Sequence, residues 1–69
     1  MTEISIVVPV RNENENIKPF LQRTEDVLNK IRKSYEIIFA LDPSTDSTEK
    51  VILEEIKRNS NIRLLVFSR

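Results

Sequence analysis

Two short polar segments of this 69-residue chain carry side chains that could bind a charged or hydrogen-bonding ligand. The first is Pro9-Val10-Arg11-Asn12-Glu13, in which the Arg11 guanidinium could stack on a base or pair with a phosphate. The second runs from Asp42 to Asp46, and the Asp42 carboxylate could accept a hydrogen bond from a base imide or a ribose hydroxyl. Each segment follows an apolar run, so we expect each where a strand ends.

Simpler interpretations of these residues stay open. Asp42 is followed by proline, and Asp-Pro is a common turn dipeptide. Arg11 could be a solvated loop residue. Glu13 and Glu15 could serve only as carboxylates near a helix start, where the helix dipole favours them. Asp46 is interpreted as a helix cap alone.

No catalytic group can be assembled from these side chains. The chain has no His and no Cys, and no nucleophile stands beside a partnering base. Asp42 and Asp46, four residues apart across a turn, are too weak a signal for a metal site without a further ligand. We therefore assign no catalytic residue and no metal ligand within this chain.

Composition excludes several function classes. Eleven basic and eleven acidic residues give a net charge of zero, which argues against a nucleic-acid partner. The absence of glycine removes the dinucleotide fingerprint and the P-loop. The longest apolar runs, 6–10 and 37–41, fall far short of the ~20 residues that span a bilayer. The start of the chain lacks signal-peptide features, so we expect a soluble, cytoplasmic segment.

The hydrophobic pattern predicts the element order β-α-β-α-β, with strands at 4–8, 36–41 and 62–67. The first strand should end in a loop at Pro9. Asn16 is the expected N-cap of a four-turn amphipathic helix, with Pro19 in its first turn. Asp46, with Glu49 three residues later, should begin a second helix. The apolar positions of the two helices are Ile17, Phe20, Leu21, Val27, Leu28, Ile31, Val51, Ile52, Leu53 and Ile56.

Alternating strands and helices predict a parallel three-stranded sheet joined by right-handed crossovers. The second strand shows no polar alternation, which predicts that both of its faces are covered. Tyr35, Phe39 and Phe67 are expected in the core. Ligands of open α/β sheets bind beyond the carboxyl ends of the strands, where the two polar segments should meet. Because the third strand lies at the end of the chain, we expect the start of a larger domain.

The two segments together resemble glycosyltransferase family 2. Residues 5–13 read SIVVPVRNE and residues 36–48 read EIIFALDPSTDST, close to the family patterns P-x-x-N-E and E-I-I-x-V-D-D-G-S-x-D-x-T. The stretch NENENI at 12–17 looks most like the polyprenyl-phosphate glycosyltransferases, relatives of dolichol-phosphate mannose synthase. The last residues, FSR at 67–69, resemble the start of that subgroup's S-R-N-F-G motif.

The resemblance implies a GT-A (Rossmann-like) fold, of which residues 1–69 would be the N-terminal nucleotide-binding portion. It places Pro9, Val10, Arg11 and Glu13 along the nucleotide pocket. It also implies that Asp42 binds the base, uracil, by accepting a hydrogen bond from its imide N–H. It implies Mg²⁺ or Mn²⁺, whose ligands lie downstream in relatives, as do the acceptor site and any membrane helices. Two positions depart from the family pattern: Leu41 replaces its first Asp, and Pro43 replaces its Gly.

The first functional hypothesis is a membrane-associated enzyme that moves a sugar from a nucleotide-sugar, a UDP-sugar such as UDP-glucose, to a polyprenyl phosphate. It would act at the cytoplasmic face of a bacterial inner membrane, and the isolated segment would be inactive. The alternative is a non-catalytic α/β binding or assembly module, including a homo-oligomer formed through an open sheet edge. A nucleotidyltransferase-like enzyme is a third option that the missing glycines disfavour.

Overall fold

A computed structural model of the chain describes residues 2–11, 13–42 and 47–66. Its elements, in chain order, are β1 (Ile4–Val10), α1 (Ile17–Ile31), β2 (Tyr35–Leu41), α2 (Thr48–Arg58) and β3 (Ile62–Val66). The strands form one parallel sheet in the order β1-β2-β3, so β2 lies in the centre. This arrangement confirms the predicted three-stranded parallel β-α-β-α-β segment.

Both helices pack on the same face of the sheet. The strand residues of the core alternate along each strand and are partners in register, which places them on one face, as Val8 and Phe39 show. Two right-handed crossovers that advance in the same direction put both helices on that side. The buried core consists of Val10, Ile17, Leu21, Leu28, Ile37, Phe39, Leu41, Ile52 and Ile62.

The opposite face of the sheet is open within this chain. Val7 of β1 and Leu65 of β3 are 61% and 51% exposed there, but on β2 Ile38 is half-buried and Ala40 is 7% exposed. No described helix packs on this outer face, so the prediction that both faces of β2 are covered stays a prediction for the outer face. A strand that is apolar at every position is typical of a sheet covered on both faces. The two helices described here lie on one side and therefore cover only one face.

Strand β1 runs two residues beyond its predicted end and includes Pro9. The carbonyl of Val10 faces β2, because it accepts a hydrogen bond from the Asp42 N–H. Backbone groups alternate sides along a strand, so the nitrogen of Pro9 faces the outer edge, where its missing N–H removes no ladder bond. An edge position thus tolerates the proline that the sequence suggested as a terminator.

Helix α1 begins as predicted, with Asn16 as N-cap and Pro19 in the first turn. Its C-cap is Arg32, whose φ of 62° and ψ of 36° lie in the left-handed region that usually favours glycine. The chain has no glycine to place there. Val27 and Ile31, expected on the buried side, are about half exposed.

Helix α2 begins one residue later than predicted: its N-cap is Ser47, and Asp46 lies outside the described residues. Lys57 and Arg58 occupy its last turn as expected. Leu53, assigned to the apolar side, is 46% exposed. Strand β3 follows the predicted loop at 59–61, and Phe67 is also outside the described range.

No helix in the described part of the chain is long and apolar enough to cross a membrane.

Candidate functional site

The carboxyl ends of β1 and β2 bring the two polar segments side by side. Val10 and Leu41 are partners in the parallel register. The backbone N–H of Asp42 donates to the carbonyl of Val10 over 3.1 Å, which extends the ladder to the last residue before the second loop. The backbone nitrogen of Asp42 is thereby held by the sheet, as predicted for a residue directly after a strand.

The β1 loop is also bonded to the start of α2. The N–H of Glu13 donates to Thr48 Oγ1 at 2.9 Å, and the side-chain amide of Asn14 donates to Ser47 Oγ at 3.0 Å. We call this pair the inter-loop hydrogen bonds. They link the segment after β1 to the start of α2, so this segment is bonded to described residues both before and after positions 43–46.

Neither Thr48 nor Ser47 is among the site residues predicted from the sequence. Both belong to a polar stretch in which Asp46 is the predicted helix cap. Two signals could have found Thr48: it occupies the final Thr of the family pattern at 36–48, and it opens an amphipathic helix at a position that should face the sheet. Its burial, with none of its surface exposed, appears only when the two loops are packed together.

Glu13 is held by Asn16 as well. The side-chain amide of Asn16 donates to Glu13 Oε2 at 2.7 Å, and the backbone N–H of Asn16 donates to the Glu13 carbonyl at 2.9 Å. The Asn16 side chain makes no cap hydrogen bond to its own helix. The N-cap residue therefore orients a predicted ligand-binding carboxylate, and Glu13 is half-buried beside it.

A cavity of about 260 Å³ opens beside β1 where α1 begins. Its polar side is formed by Glu13 and Asn16, and its apolar base includes Phe20 and Phe39, whose rings meet edge to face with centroids 6.0 Å apart. The remaining lining residues are Val8, Pro9, Val10 and Ile17. The cavity is smaller than the ~300–1,000 Å³ typical of ligand pockets, so it could hold only part of a nucleotide.

Of the three charged residues predicted to contact ligand, Glu13 lines this cavity, whereas Arg11 and Asp42 lie outside it and are exposed. Neither side chain forms an ion pair with another described residue. By contrast, the Val10 side chain is buried in the core, so only its backbone faces the loops. At the carboxyl edge, Arg11 and Asp42 thus present opposite charges to solvent, next to a cavity with a half-buried carboxylate.

The described residues contain no group of three or more His, Cys, Asp or Glu side chains close enough to hold a metal ion. Asp42 is a single exposed carboxylate, and its fellow candidate Asp46 is outside the described ranges. The donors present therefore do not fit a resident divalent cation, and no metal ligand is assigned here.

Comparisons with known proteins agree with this arrangement. The family model described as "Glycosyl transferase family 2" matches residues 5–69. An uncharacterized glycosyltransferase of Synechocystis sp. is 36% identical over 67 residues, and the uncharacterized glycosyltransferase YkcC of Bacillus subtilis is 33% identical over 67 residues. Each alignment covers 97% of this chain and 21% of the relative, so the chain spans about a fifth of the length of these curated relatives.

Proposed function

The chain belongs to glycosyltransferase family 2, and from that membership we propose that it forms the nucleotide-binding first part of a sugar-transferring enzyme. The observation that supports this most directly is the joining of two polar loops at the carboxyl edge of a parallel sheet. Such an edge is where open α/β sheets bind their ligands. The exposed side chains of Arg11 and Asp42 lie on these two loops.

The proposed donor is a UDP-sugar, with UDP-glucose as an example. The Asp42 carboxylate accepts a hydrogen bond from the imide N–H of uracil, a charge-assisted contact stronger than a neutral one. The pocket is lined by Pro9, by Glu13 and by the backbone of Val10. Arg11 pairs with the diphosphate. Leu41 stands where the family pattern has its first Asp, and Pro43 stands where it has Gly. Of the two adjacent carboxylates in that pattern, this chain therefore keeps the one at Asp42.

The proposed acceptor is a polyprenyl phosphate at the cytoplasmic face of a bacterial membrane. An oxygen of its phosphate attacks the anomeric carbon, and the bond from that carbon to the nucleoside diphosphate breaks as the diphosphate leaves. A divalent cation, Mg²⁺ or Mn²⁺ held by residues outside this chain, would stabilise the negative charge of the leaving group. The part of this chain is to hold and orient the nucleotide.

Titration of the full-length protein with UDP tests the role of Asp42. Asp42→Asn keeps the shape of the side chain but replaces a charged acceptor with a neutral one, so we expect UDP to bind about tenfold more weakly. Asp26→Asn is the matched control, because Asp26 is an exposed aspartate on α1 away from the loops. Equal UDP affinities for wild type and Asp42→Asn would exclude the base-binding role.

A comparison of UDP with CDP identifies the contact itself. Cytosine has no hydrogen on N3, so it cannot make the imide contact, and only its exocyclic N4 amino group could donate to Asp42 after a shift of the base. Wild type should prefer UDP over CDP, and Asp42→Asn should reduce that preference, since an amide can face either base. A preference that survives the substitution would place base recognition elsewhere.

The second candidate is a non-catalytic assembly module, and the exposed face of the sheet at Val7 and Leu65 is the observation that favours it. In that case the full-length protein would bind no nucleoside diphosphate, and its mass in solution would rise with concentration. Sedimentation with and without Leu65→Lys would test assembly through this face.

A further inference from the structure

The first residue of α2 has a buried hydroxyl whose position is unusual for a helix start. Thr48 has no exposed surface, and its Oγ1 accepts the backbone N–H of Glu13, 35 residues earlier in the chain. We propose that Thr48 is a positioning residue for nucleotide binding: it fixes the β1 loop, and with it Glu13, relative to the Asp42 loop. This inference rests on the proposed function and assigns a role to a residue outside the predicted pocket.

The chemistry of the position supports a role for the hydroxyl rather than for bulk alone. A buried hydroxyl without a partner costs free energy, and a valine of nearly the same shape would fill the space without that cost. Thr48 accepts a bond from a backbone group that no element of regular structure satisfies, since Glu13 lies between β1 and α1. The side chain therefore completes the hydrogen bonding of the loop.

A second bond runs beside the first. Ser47 is the N-cap of α2, but its hydroxyl makes no cap hydrogen bond and instead accepts the side-chain amide of Asn14. Two successive residues of the helix start thus bind two successive residues of the β1 loop. The bond from Asp42 N–H to the Val10 carbonyl adds a third connection between described residues of the two segments.

Rigid connection affects affinity because a loop that is already ordered loses less entropy when ligand binds. Removing the Thr48 acceptor should leave Glu13 and its neighbours free to sample other positions in the unliganded protein. We expect Thr48→Val in the full-length protein to weaken UDP binding about threefold to tenfold, the range that corresponds to one lost hydrogen bond.

Two variants separate positioning from general stability. Thr48→Ser keeps the hydroxyl and should bind UDP within about twofold of wild type, an effect below that of one lost hydrogen bond. Thr24→Val removes the same atoms from a half-buried threonine of α1, away from the inter-loop hydrogen bonds, and should leave UDP affinity unchanged. Weakening by Thr48→Val, with recovery in Thr48→Ser, supports the positioning role. A Thr48→Val protein with wild-type UDP affinity overturns it, whatever its melting temperature.

Amide hydrogen exchange without ligand distinguishes failure of this inference from failure of the proposed function. Exchange at Glu13 should accelerate in Thr48→Val and remain slow in Thr48→Ser. If wild type binds no UDP, the proposed function fails and the role in binding fails with it, while the exchange rates still report whether Thr48 orders the loop. If UDP binds but exchange at Glu13 is unaltered by Thr48→Val, the positioning role is wrong.

Ser47→Ala provides a second route should Thr48→Val fail to fold. Ser47 is exposed and makes no cap hydrogen bond, so its substitution should leave the helix intact. It removes the acceptor of Asn14, and Asn14→Ala removes the donor of the same bond. We expect each variant to weaken UDP binding about twofold to threefold. This is the low end of the range for one lost hydrogen bond, because the bond is exposed to solvent. Unchanged UDP affinity in both variants would contradict the proposal.

Discussion

The two ends of the helical layer are joined in different ways. At the carboxyl edge of the sheet, the β1 loop meets α2 through the neutral groups of the inter-loop hydrogen bonds. At the amino edge, where α2 ends, α1 and α2 meet through charges. Arg58 donates to Glu25 at 2.8 Å and to Glu55 at 2.8 Å, and Asn59 donates to Glu25 at 3.0 Å. Among the described residues, the ion pair that joins the two helices, Arg58 with Glu25, lies at the amino edge.

This Glu25–Arg58 network (Glu25, Tyr35, Glu55, Arg58 and Asn59) includes a bond of 3.1 Å between the Asn59 amide and the Tyr35 hydroxyl. Burial by itself would raise the pKa of Glu25, but the hydrogen bonds from Arg58 and Asn59 and the charge of Arg58 outweigh burial and lower it below 4.5. The hydrogen bonds to Glu25 and Glu55 raise the pKa of Arg58. Each charge in the network has a partner.

The contrast shows how one small layer can hold together and still leave charged side chains exposed at one edge. Charges that pair with each other inside the protein are not available to a ligand, and the amino edge uses its charges in that way. The carboxyl edge is joined by hydroxyl, amide and backbone groups. Arg11 and Asp42 consequently remain exposed there, without ion pairs to other described residues.

The largest expected effect is loss of the core that both ends share. Phe39 is fully buried in the central strand, and its ring contacts Phe20 near the start of α1. Phe39→Ala should lower the free energy of unfolding by about 3–5 kcal/mol, because it leaves a cavity beneath both helices. Denaturant unfolding of the full-length protein measures the loss, and UDP binding should weaken with it.

Phe39→Leu is the matched control and should cost about 1 kcal/mol, since it keeps most of the buried volume. If Phe39→Ala changed stability no more than Phe39→Leu, the two ends would not depend on a common core.

An intermediate effect is expected from Glu25→Gln, which should lower the free energy of unfolding at pH 7 by about 1 kcal/mol. This value is kept small because Arg58 is half exposed and water screens its charge. The folded pKa of Glu25 is lowered, so its stabilisation is present above the ordinary value of 4.5 and is lost as the pH falls through the folded value. The difference between wild type and variant should therefore shrink in acid.

Asp26→Asn, at an exposed position of the same helix, is the matched control and should leave the free energy of unfolding at pH 7 nearly unchanged. UDP affinity should be unchanged in Glu25→Gln, because the amino edge is remote from the loops. A loss of UDP binding in this variant, with stability intact, would contradict the division between the two ends.

The smallest effect concerns Arg11, an exposed cation on the β1 loop. If it pairs with the diphosphate, Arg11→Gln should weaken UDP binding about threefold at low salt, in the range of an exposed ion pair. The difference should largely vanish at ~1 M salt, where charges are screened over about 3 Å. Arg23→Gln, an exposed arginine of α1, is the control. Equal weakening by both variants would indicate a general charge effect.

Much of the fold follows from local pattern. Apolar runs and their polar boundaries predict the five elements, the Asn16 N-cap and the meeting of the Pro9 and Asp42 loops, because these depend on neighbouring residues and on the order of elements. Errors occur where partners are distant in sequence. Pro9 stays in β1 because its nitrogen faces a free edge, and α2 begins after Ser47 rather than at Asp46.

The sequence by itself determined the parallel α/β order and the family of the chain, and the residues that contact a nucleotide stay a prediction from it. Only the tertiary structure decided which polar residues connect and which stay exposed. Thr48 and Glu13 are 35 residues apart, and Arg58 and Glu25 are 33 apart, so no local pattern pairs them. Their partners are set by two crossovers that bring the helices onto one face and the loop ends to one edge of the sheet.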